Sequence, residues 1–382
     1  SISPKPFSGC SRPRSFPAVN VDSIPVPASE ADESRTVLSD YTLDGAVAEG
    51  SMGRIYRAHH VRTGERVALK VLHPNVAQDE VAVARFRREH QTAASLRHPH
   101  IVHVREFGET EDGRLYIAME YLEGRELGQL LADDGPLPPE RLVPLICQLA
   151  LGLSHAHDEG VIHRDLKPAN VFVSDEGGRD FVRVVDFGSV KLQLDGHPKL
   201  TAFGLTLGSP FYMSPEQAMG VTDLDPRSDV FAFAAIVYEL ATGVVAFGAS
   251  TTGEILKKVT SEEPAPVSTL NAAYPWAFDG VVQRAMRKEK SERFETATDF
   301  ANALLESLGL VPDVPGYAER APREVVRSQF DSIAGSSTAS PRSAKEPSVM
   351  PLPTRETPWS IKLLVAAAVL GVVGAAALLF AA

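Results

Sequence analysis

Two short polar stretches constrain this chain more than any other feature. The first, His163 to Asn170, reads His-Arg-Asp-Leu-Lys-Pro-Ala-Asn, and Asp186-Phe187-Gly188 follows after fifteen intervening residues. Phosphoryl transfer requires an acceptor for the proton of the attacking hydroxyl, a cation beside the moving group and oxygen ligands for Mg²⁺. Asp165 and Lys167 supply the first two, and Asn170 with Asp186 supplies the metal ligands. The two stretches therefore predict a phosphoryl-transfer site.

Further motifs lie upstream and downstream of these stretches in an order typical of one family. They are Val67-Ala68-Leu69-Lys70, Phe86-Arg87-Arg88-Glu89, Ser214-Pro215-Glu216, Asp229 and Arg293. Together with the first two stretches they resemble the protein kinase family, and within it the bacterial Ser/Thr kinases built on the eukaryotic plan. The resemblance extends from Tyr41 to Leu308. Ordered motifs at family-like spacing are far more specific than a single tripeptide.

The resemblance implies a role for each matched residue. Lys70 would bind the α- and β-phosphates of ATP and pair with Glu89. Three arginines on the same predicted helix, Arg85, Arg87 and Arg88, offer Glu89 other partners. The competing interpretation of Lys70 is a solvated residue at a strand edge.

Two further matches concern the larger lobe of the family fold. Asp229 would be a buried aspartate, and Glu216 would pair with Arg293. For Asp165 and Asp186, the competing interpretation is that both are ordinary loop aspartates that cap turns.

The glycine-rich loop departs from the family pattern at one position. Its residues are assigned to the nucleotide site: Val47, Ala48, Glu49, Gly50, Ser51, Met52, Gly53, Arg54 and Ile55. Ala48 stands where the family carries its first glycine. Gly50 and Gly53 remain, so backbone N–H groups can still approach phosphate, and we expect weaker or slower nucleotide handling at most. Ser51 stands where a Walker A motif needs lysine, which argues against a P-loop NTPase.

By resemblance, adenine would bind at the hinge between two lobes. Glu120 and Leu122 belong to this hinge, Met119 would be the gatekeeper behind it, and Ala68 belongs to the same cofactor site. The expected cofactors are ATP and Mg²⁺.

The catalytic loop, defined here as residues 163–170, also bears on the substrate. Lys167, two positions after Asp165, is the arrangement of Ser/Thr kinases. In the family a threonine hydroxyl bridges these two side chains, and Ser209 keeps a hydroxyl at that position. Proteins with Ser or Thr acceptors are therefore the expected substrates.

Regulation by phosphorylation is a further implication of the resemblance. In such kinases the arginine beside the catalytic aspartate, here Arg164, binds a phosphate on the activation loop. Thr201 and Thr206 are the candidate acceptors. The competing interpretation is that both hydroxyls are only solvated polar groups.

Composition narrows the class of protein. At 382 residues the chain has room for one two-lobed domain with extensions. Its net charge is −11, whereas nucleic-acid binders usually carry a basic surface. No nucleic-acid partner is therefore expected. Cys10 and Cys147 are too few for a disulfide framework and indicate a reducing compartment. Cys147 lies in an apolar helical run and is predicted to be a core residue.

Proline and serine mark two extensions. Residues 1–40 are predicted to be a disordered leader, because prolines recur there among serines. No apolar block in them is long enough for the core of a signal peptide. Targeting residues before Ser1 remain an alternative. Residues 309–358 are predicted to be a disordered juxtamembrane linker.

Residues 359–382 are predicted to form a transmembrane helix. The run from Ile361 to Ala382 carries one charge, Lys362. At about 1.5 Å rise per residue it reaches roughly 30 Å, the thickness of a hydrocarbon core. A buried core helix is the competing interpretation. Arg355 and Lys362 favour a cytoplasmic N-terminal side, which predicts a single-pass protein of the inner membrane with a cytoplasmic catalytic domain.

This predicted helix also raises two open questions. Small residues recur at Ala367, Gly371 and Ala375, a spacing that allows a homodimer but is common in membrane helices anyway. Two arrangements stay open: a tail-anchored protein, or part of a longer chain with a sensor domain beyond Ala382.

The resemblance implies an α+β, two-lobed fold of the protein kinase type, and hydrophobic periodicity supports the two lobes. In the lobe at residues 41–122, a small antiparallel sheet with strands at 55–58, 66–71 and 115–120 surrounds one helix at 80–96. The lobe at residues 123–308 is mainly helical, with helices at 142–157, 229–242 and 296–308.

Three functions are weighed on this basis. The leading one is an active, membrane-tethered Ser/Thr kinase. The second is a pseudokinase scaffold, for which Ala48 is the sole indication. The third is a small-molecule kinase of related fold, against which Glu216, Asp229 and Arg293 argue because they support a peptide-docking lobe.

Overall fold

The structure is a computed structural model, which describes residues 37–50, 53–74, 76–77, 79–111, 113–187 and 210–319. Within these ranges the side chains of Val81, Arg85, Arg88 and Glu89 are not described. The described residues form two compact units. The sheet unit lies within residues 37–83 and 105–121, and the helical unit lies within residues 84–104 and 122–319.

A six-stranded sheet forms the first unit. Its strands are β1 (Val37–Leu38), β2 (Tyr41–Glu49), β3 (Gly53–His60), β4 (Arg66–Leu72), β5 (Val104–Glu109) and β6 (Leu115–Glu120), in the order β1-β2-β3-β4-β6-β5. Side chains on β4 alternate as a half-buried strand requires, because Val67, Leu69 and Val71 are buried and Ala68 and Lys70 point to the other face. The pairing of β2 with β3 is irregular on either side of Ala46, which bends the strand just before the glycine-rich loop.

The second unit is mainly helical. Helix α1 (Glu80–Ser95) begins in the sheet unit and continues into this one. The remaining helices are α2 (Leu127–Asp134), α3 (Pro139–Asp158), α4 (Pro215–Ala218), α5 (Arg227–Thr242), α6 (Thr252–Ser261), α7 (Val267–Leu270), α8 (Trp276–Ala285), α9 (Ala297–Ser307) and α10 (Val314–Glu319). A small sheet of β7 (Arg125–Glu126), β8 (Val171–Asp175) and β9 (Asp180–Val184) completes the unit, in the order β7-β8-β9.

Helix α5 lies at the centre of the helical unit. Every residue from Ser228 to Ala241 is buried, so the helix is enclosed on all sides. It ends at Gly243, whose left-handed φ of 78° suits a residue without a Cβ. Helix α3 packs beside it, and the buried apolar residues of α3, among them Leu142 and Leu149, belong to the same core. The first turn of α5 therefore presents its polar groups in a dry environment.

Most predicted elements are confirmed to within three residues at each end. The strands predicted at 66–71 and 115–120 and the helices predicted at 80–96, 142–157, 229–242 and 296–308 all occur. The buried position of Cys147 is also confirmed, and burial raises the pKa of its thiol well above the ordinary value.

Two boundaries differ from the sequence prediction. Most of α1 groups with the helical unit, and Leu96, which follows the helix, belongs to that unit's core. The predicted linker at 309–358 begins with folded residues, because Leu310 and Val314 are buried and α10 packs against α3. A proline-rich average over the whole segment concealed these two apolar residues.

The predicted leader and the remainder of the predicted linker fall largely or wholly outside the described residues. None of the described helices combines the length and the apolar character needed to cross a membrane. The predicted transmembrane helix at 359–382 lies outside them.

Candidate functional site

The catalytic loop is attached to α5 through one buried carboxylate. Asp229, which is 1% exposed, accepts hydrogen bonds from the backbone N–H groups of His163 at 2.7 Å and Arg164 at 2.9 Å. His157 of α3 contributes a third contact, with Nε2 2.8 Å from Oδ2 of Asp229. Backbone donors that are buried without an acceptor are costly, so Asp229 fixes where the loop begins.

The electrostatic environment keeps Asp229 ionised. Burial alone raises the pKa of a carboxyl group, but the hydrogen bonds from the His157 ring and from the His163 backbone, with the electrostatic influence of the two rings, outweigh burial here and lower the pKa of Asp229. An ionised acceptor makes stronger hydrogen bonds than a neutral one. The loop is therefore bound by charge-assisted contacts.

Two residues of the site have backbone conformations that side chains disfavour. Arg164 has a φ of 67° and Asp186 a φ of 60°, both in the left-handed region. Such conformations cost about 1–3 kcal/mol each and persist only where the surroundings impose them. For Arg164, the imposed contacts include the bond from its N–H to Asp229.

The side chains predicted to act on the phosphoryl group lie together in the helical unit. Nζ of Lys167 is 2.7 Å from Oδ2 of Asp165, and both side chains are partly exposed, at 24% and 20%. Nδ2 of Asn170 donates to the backbone carbonyl of Asp165 at 2.8 Å. Because this bond occupies the nitrogen of the Asn170 amide, its oxygen remains available to a cation.

The second motif begins directly beside this loop. The N–H of Val185 donates to the carbonyl of Asn170 at 2.9 Å, and Nε2 of His163 lies 3.1 Å from the carbonyl of Val185. Phe187 is 1% exposed and meets the ring of His163 edge-on, with centroids 4.8 Å apart. Asp186 is thereby held next to Asn170 in the chain's tertiary structure, as a shared metal site requires.

These oxygens fit a Mg²⁺ ion that is shared with a nucleotide. Mg²⁺ is usually bound by one or two carboxylates together with substrate phosphates and water, and seldom by a complete protein cage. Among the described residues, no three His, Cys, Asp or Glu side chains converge to hold a metal ion. One carboxylate from Asp186 and one amide oxygen from Asn170 match the sparse type of site.

A buried ion pair supports the segment that follows the catalytic region. Arg293 donates from Nη1 and Nη2 to the two carboxylate oxygens of Glu216, at 2.7 and 2.8 Å, and Ser228 donates to the same carboxylate at 2.7 Å. Burial alone would raise the pKa of Glu216, but the bonds from Arg293 and Ser228 lower it. The predicted pairing of Glu216 with Arg293 is confirmed.

In the sheet unit, register places predicted nucleotide residues on one face. Ala48 pairs with Ile55 and Ile55 pairs with Lys70. Ala68, two residues before Lys70 on β4, pairs with Met119. Directly paired residues share a face of a sheet, and so do residues two apart on one strand. All five side chains therefore point away from the face that carries the buried core of the sheet unit.

The glycine-rich loop is held by exposed contacts and by one close approach. The N–H of Gly50 bonds to the carbonyl of Gly53 at 2.9 Å, and Arg54 pairs with the exposed Glu49 at 2.9 Å. A Cβ on Gly53 would lie 2.3 Å from the carbonyl oxygen of Val71, so only glycine fits there. Ala48 is an exposed residue of β2 and is absent from the described residues with positive φ. Its backbone therefore does not require glycine.

Several predicted residues cannot be placed. Ser51, Met52, Thr201, Thr206, Ser209 and the side chain of Glu89 lie outside the described residues. Val47 is 58% exposed. Glu120 is the last residue of β6, and Leu122 belongs to the helical unit.

Two contacts of the site had no sequence prediction. His157 bonds to Asp229, and Nε2 of Gln217 donates to the backbone carbonyl of Arg164 at 2.6 Å. Gln217 directly follows the Ser-Pro-Glu motif in the sequence, which was the only available signal.

Comparisons with known proteins agree with this geometry. The model of the protein kinase domain family matches residues 41–308. The serine/threonine-protein kinase pkn3 of Myxococcus xanthus is 40% identical over 279 residues, which cover 72% of this chain and 51% of that protein. The serine/threonine-protein kinase PknB of Mycolicibacterium smegmatis is 37% identical over 283 residues, which cover 73% and 45%. The chain thus spans about half the length of these curated relatives.

A solved structure extends the comparison to the fold. The crystal structure of the kinase domain of Mycobacterium tuberculosis PknI has a TM-score of 0.58 and 30% sequence identity, over 72% of this chain and 99% of that domain. The order of a β-rich unit followed by a mainly helical unit is therefore shared with a structure determined by crystallography.

Proposed function

Because this chain belongs to the protein kinase family, we propose that it transfers the γ-phosphoryl group of ATP, with Mg²⁺, to serine and threonine hydroxyls of proteins. One observation carries the proposal. Asp165 and Lys167 form a 2.7 Å pair on a loop that the buried Asp229 holds in a strained conformation. Structures retain such strain where it positions reacting groups.

The residues of the catalytic loop divide the reaction between them. Oδ2 of Asp165 is engaged by Lys167, which leaves Oδ1 to orient the substrate hydroxyl and to accept its proton. Lys167 brings a positive charge to the position where the phosphoryl group moves. Asn170 and Asp186 would hold Mg²⁺, which neutralises phosphate charge when it is bound. Lys70, a half-buried residue on the face of the sheet opposite Val67, Leu69 and Val71, would bind the α- and β-phosphates.

We infer that Thr201 and Thr206 regulate this site through autophosphorylation. Arg164 supports the inference, because no carboxylate pairs with its guanidinium among the described residues. A loop phosphate carries a charge of about −1.5 to −2 near pH 7 and bonds strongly to arginine. A Thr201→Ala, Thr206→Ala double variant is expected to lose most of its activity. Full activity of that variant would refute the inference.

The proposed organisation of the chain places the catalytic domain at a membrane. Residues 1–40 would be a leader, 41–308 the kinase domain, 309–358 a linker whose first residues are folded, and 359–382 a membrane helix that leaves the kinase cytoplasmic. Detergent, but not high salt, should then release the full chain from inner membranes. Recovery in the soluble fraction without detergent would exclude the anchor.

Transfer of ³²P from γ-labelled ATP tests the proposed reaction. The full chain with Mg²⁺ should label itself and a generic basic protein, and Asp165→Asn should lower the rate at least about a hundredfold, because a positioned general base contributes that much. Thermal unfolding of both proteins checks that the variant is folded. ATP binding without transfer by the unchanged chain would overturn the proposal and favour the pseudokinase.

A further inference from the structure

Arg164, the residue before Asp165, is hydrogen-bonded at both its backbone N–H and its backbone carbonyl. The N–H of Arg164 donates to Asp229 at 2.9 Å, and its carbonyl accepts from Nε2 of Gln217 at 2.6 Å. Between these two bonds lies the strained backbone of Arg164, with a φ of 67°. Two hydrogen bonds on opposite ends of a residue fix its orientation more tightly than either bond alone. Of these two bonds, the one from Gln217 is made to the Arg164–Asp165 peptide itself, whose N–H donates to Nδ1 of His163 at a longer distance of 3.4 Å.

Gln217 has a second set of contacts, which its oxygen makes. Oε1 accepts from the backbone N–H and from the hydroxyl of Ser214, both at 3.1 Å, and completes the capping box at the start of α4. A glutamate at this position completes a capping box equally well. The cap thus uses only the oxygen of the side chain, whereas the bond to Arg164 needs an N–H donor. An amide meets both requirements at pH 7, and a carboxylate meets only the first.

We propose that Gln217 is a positioning residue for the phosphoryl-transfer reaction, an inference that rests on the proposed kinase activity. Its amide holds the carbonyl of Arg164 and so aims Asp165, the next residue, toward the acceptor hydroxyl. Gln217 adjoins Glu216, which the buried Arg293 fixes in place. Helix α4 is thereby joined through the Gln217 side chain to the residue that precedes the catalytic base, and displacement of α4 would misalign Asp165.

A single substitution separates positioning from capping. Gln217→Glu in the full chain retains the acceptor for Ser214 and removes the donor to Arg164. We expect kcat to fall about tenfold to a hundredfold, because small misplacements of a catalytic group have effects of that size. The KM for ATP should change less than about twofold, since nucleotide contacts are not altered. Amide hydrogen exchange in a peptide covering residues 163–167 should become faster, which reports the loosened loop independently of activity.

Gln148 provides a matched control. It is a buried glutamine of α3 that also bridges two backbone groups, donating to the carbonyl of Asp180 at 3.0 Å and accepting from the N–H of Val182 at 2.8 Å. Gln148→Glu loses the same kind of donor on β9 and not on the catalytic loop. We expect a lower Tm with kcat changed less than about threefold, because a stability loss alone does not move the catalytic base.

Gln217→Met removes both functions with little change in volume and serves as the second variant. It should reproduce the loss of kcat and add a loss of Tm from the missing cap. The inference is overturned if Gln217→Glu keeps kcat and hydrogen exchange unchanged, or if Gln148→Glu lowers kcat equally. Absence of transfer by the unchanged chain would instead refute the proposed function, so the two failures are distinguishable.

Discussion

The catalytic loop and the glycine-rich loop, the two stretches assigned to phosphate chemistry, are stabilised in different ways. The catalytic loop is bound by buried, charged or strongly polar groups, chiefly Asp229, which is 1% exposed. The glycine-rich loop is bound by an exposed pair between Arg54 and Glu49 and by a backbone bond between Gly50 and Gly53. The catalytic loop depends on particular side chains that bond to it, whereas the glycine-rich loop depends on the absence of a side chain at Gly53.

This difference fits the work that each loop is proposed to do. A general base must be held within a fraction of an ångström, and buried charge-assisted bonds provide that precision. A loop that covers a nucleotide must admit and release it, and exposed ion pairs contribute little to stability. Substitutions behind the catalytic loop should therefore have large effects, and most substitutions in the glycine-rich loop should have small effects on folding.

Asp229→Ala should produce the largest effect. It leaves the backbone N–H groups of His163 and Arg164 buried without an acceptor, which should lower the free energy of unfolding by about 4 kcal/mol and abolish transfer. Urea denaturation measures the first effect and ³²P transfer the second. Asp279→Ala is the control, because Asp279 also accepts from a backbone N–H, that of Ser268, but on the partly exposed α8. If both variants lose the same stability, the catalytic loop is not held as described.

Arg293→Met tests whether buried support extends beyond the loop. It leaves Glu216 buried without its cation and should lower the free energy of unfolding by about 3 kcal/mol. The double variant Glu216→Leu, Arg293→Met should be more stable than the single variant, because no charge remains buried. Equal stability of single and double variants in urea denaturation would contradict this account.

The same ion pair predicts a pH dependence. The pKa of Glu216 is lower in the folded chain than in the unfolded chain. The pair's contribution to stability is therefore fully present above the ordinary pKa of glutamate and is lost as pH falls through the lowered value. On acidification, the free energy of unfolding of the unchanged chain should accordingly fall relative to that of the double variant, which lacks Glu216. A difference that stays constant from pH 7 to acid would show that Glu216 is not the group responsible.

Gly53→Ala should have the largest effect within the glycine-rich loop. The new Cβ would lie 2.3 Å from the Val71 carbonyl oxygen and 3.2 Å from Cα of Leu72, so β3 and β4 must separate locally. We expect a loss of about 2 kcal/mol, the size typical of overpacking. Gly50→Ala is the stability control, because its Cβ would meet nothing closer than 3.6 Å. Equal Tm values for the two variants would remove the distinction between these glycines.

The sequence predicted the parts of the site that lie close together in the chain. Asp165, Lys167 and Asn170 are separated by two or three positions, and a family motif places them on one loop. Periodicity located the helices and strands because alternation and the helical period depend on neighbouring residues. Two features that depend on distant parts of the chain followed only from the resemblance. They are the burial of Asp229 and the pairing of Glu216 with Arg293.

Other contacts could not be predicted because they depend on tertiary packing. Gln217 reaches Arg164 across 53 positions, and His157 reaches Asp229 across 72. No local pattern marks a glutamine or a histidine for such a contact. The folded start of the predicted linker was missed for a similar reason, because Leu310 and Val314 are isolated apolar residues whose partners lie on α3 and neighbouring helices.

Ala48→Gly should have the smallest effect and bears most directly on the pseudokinase alternative. Ala48 has an ordinary strand backbone and an exposed side chain, so its methyl group obstructs nothing within the described sheet unit. Glycine there should lower the free energy of unfolding by about 0.5 kcal/mol, since it is less favourable in a strand. The kcat and the KM for ATP should change less than about twofold. An increase in kcat of about tenfold or more would mean that alanine limits turnover, and the contrast between a tolerant glycine-rich loop and a demanding catalytic loop would fail.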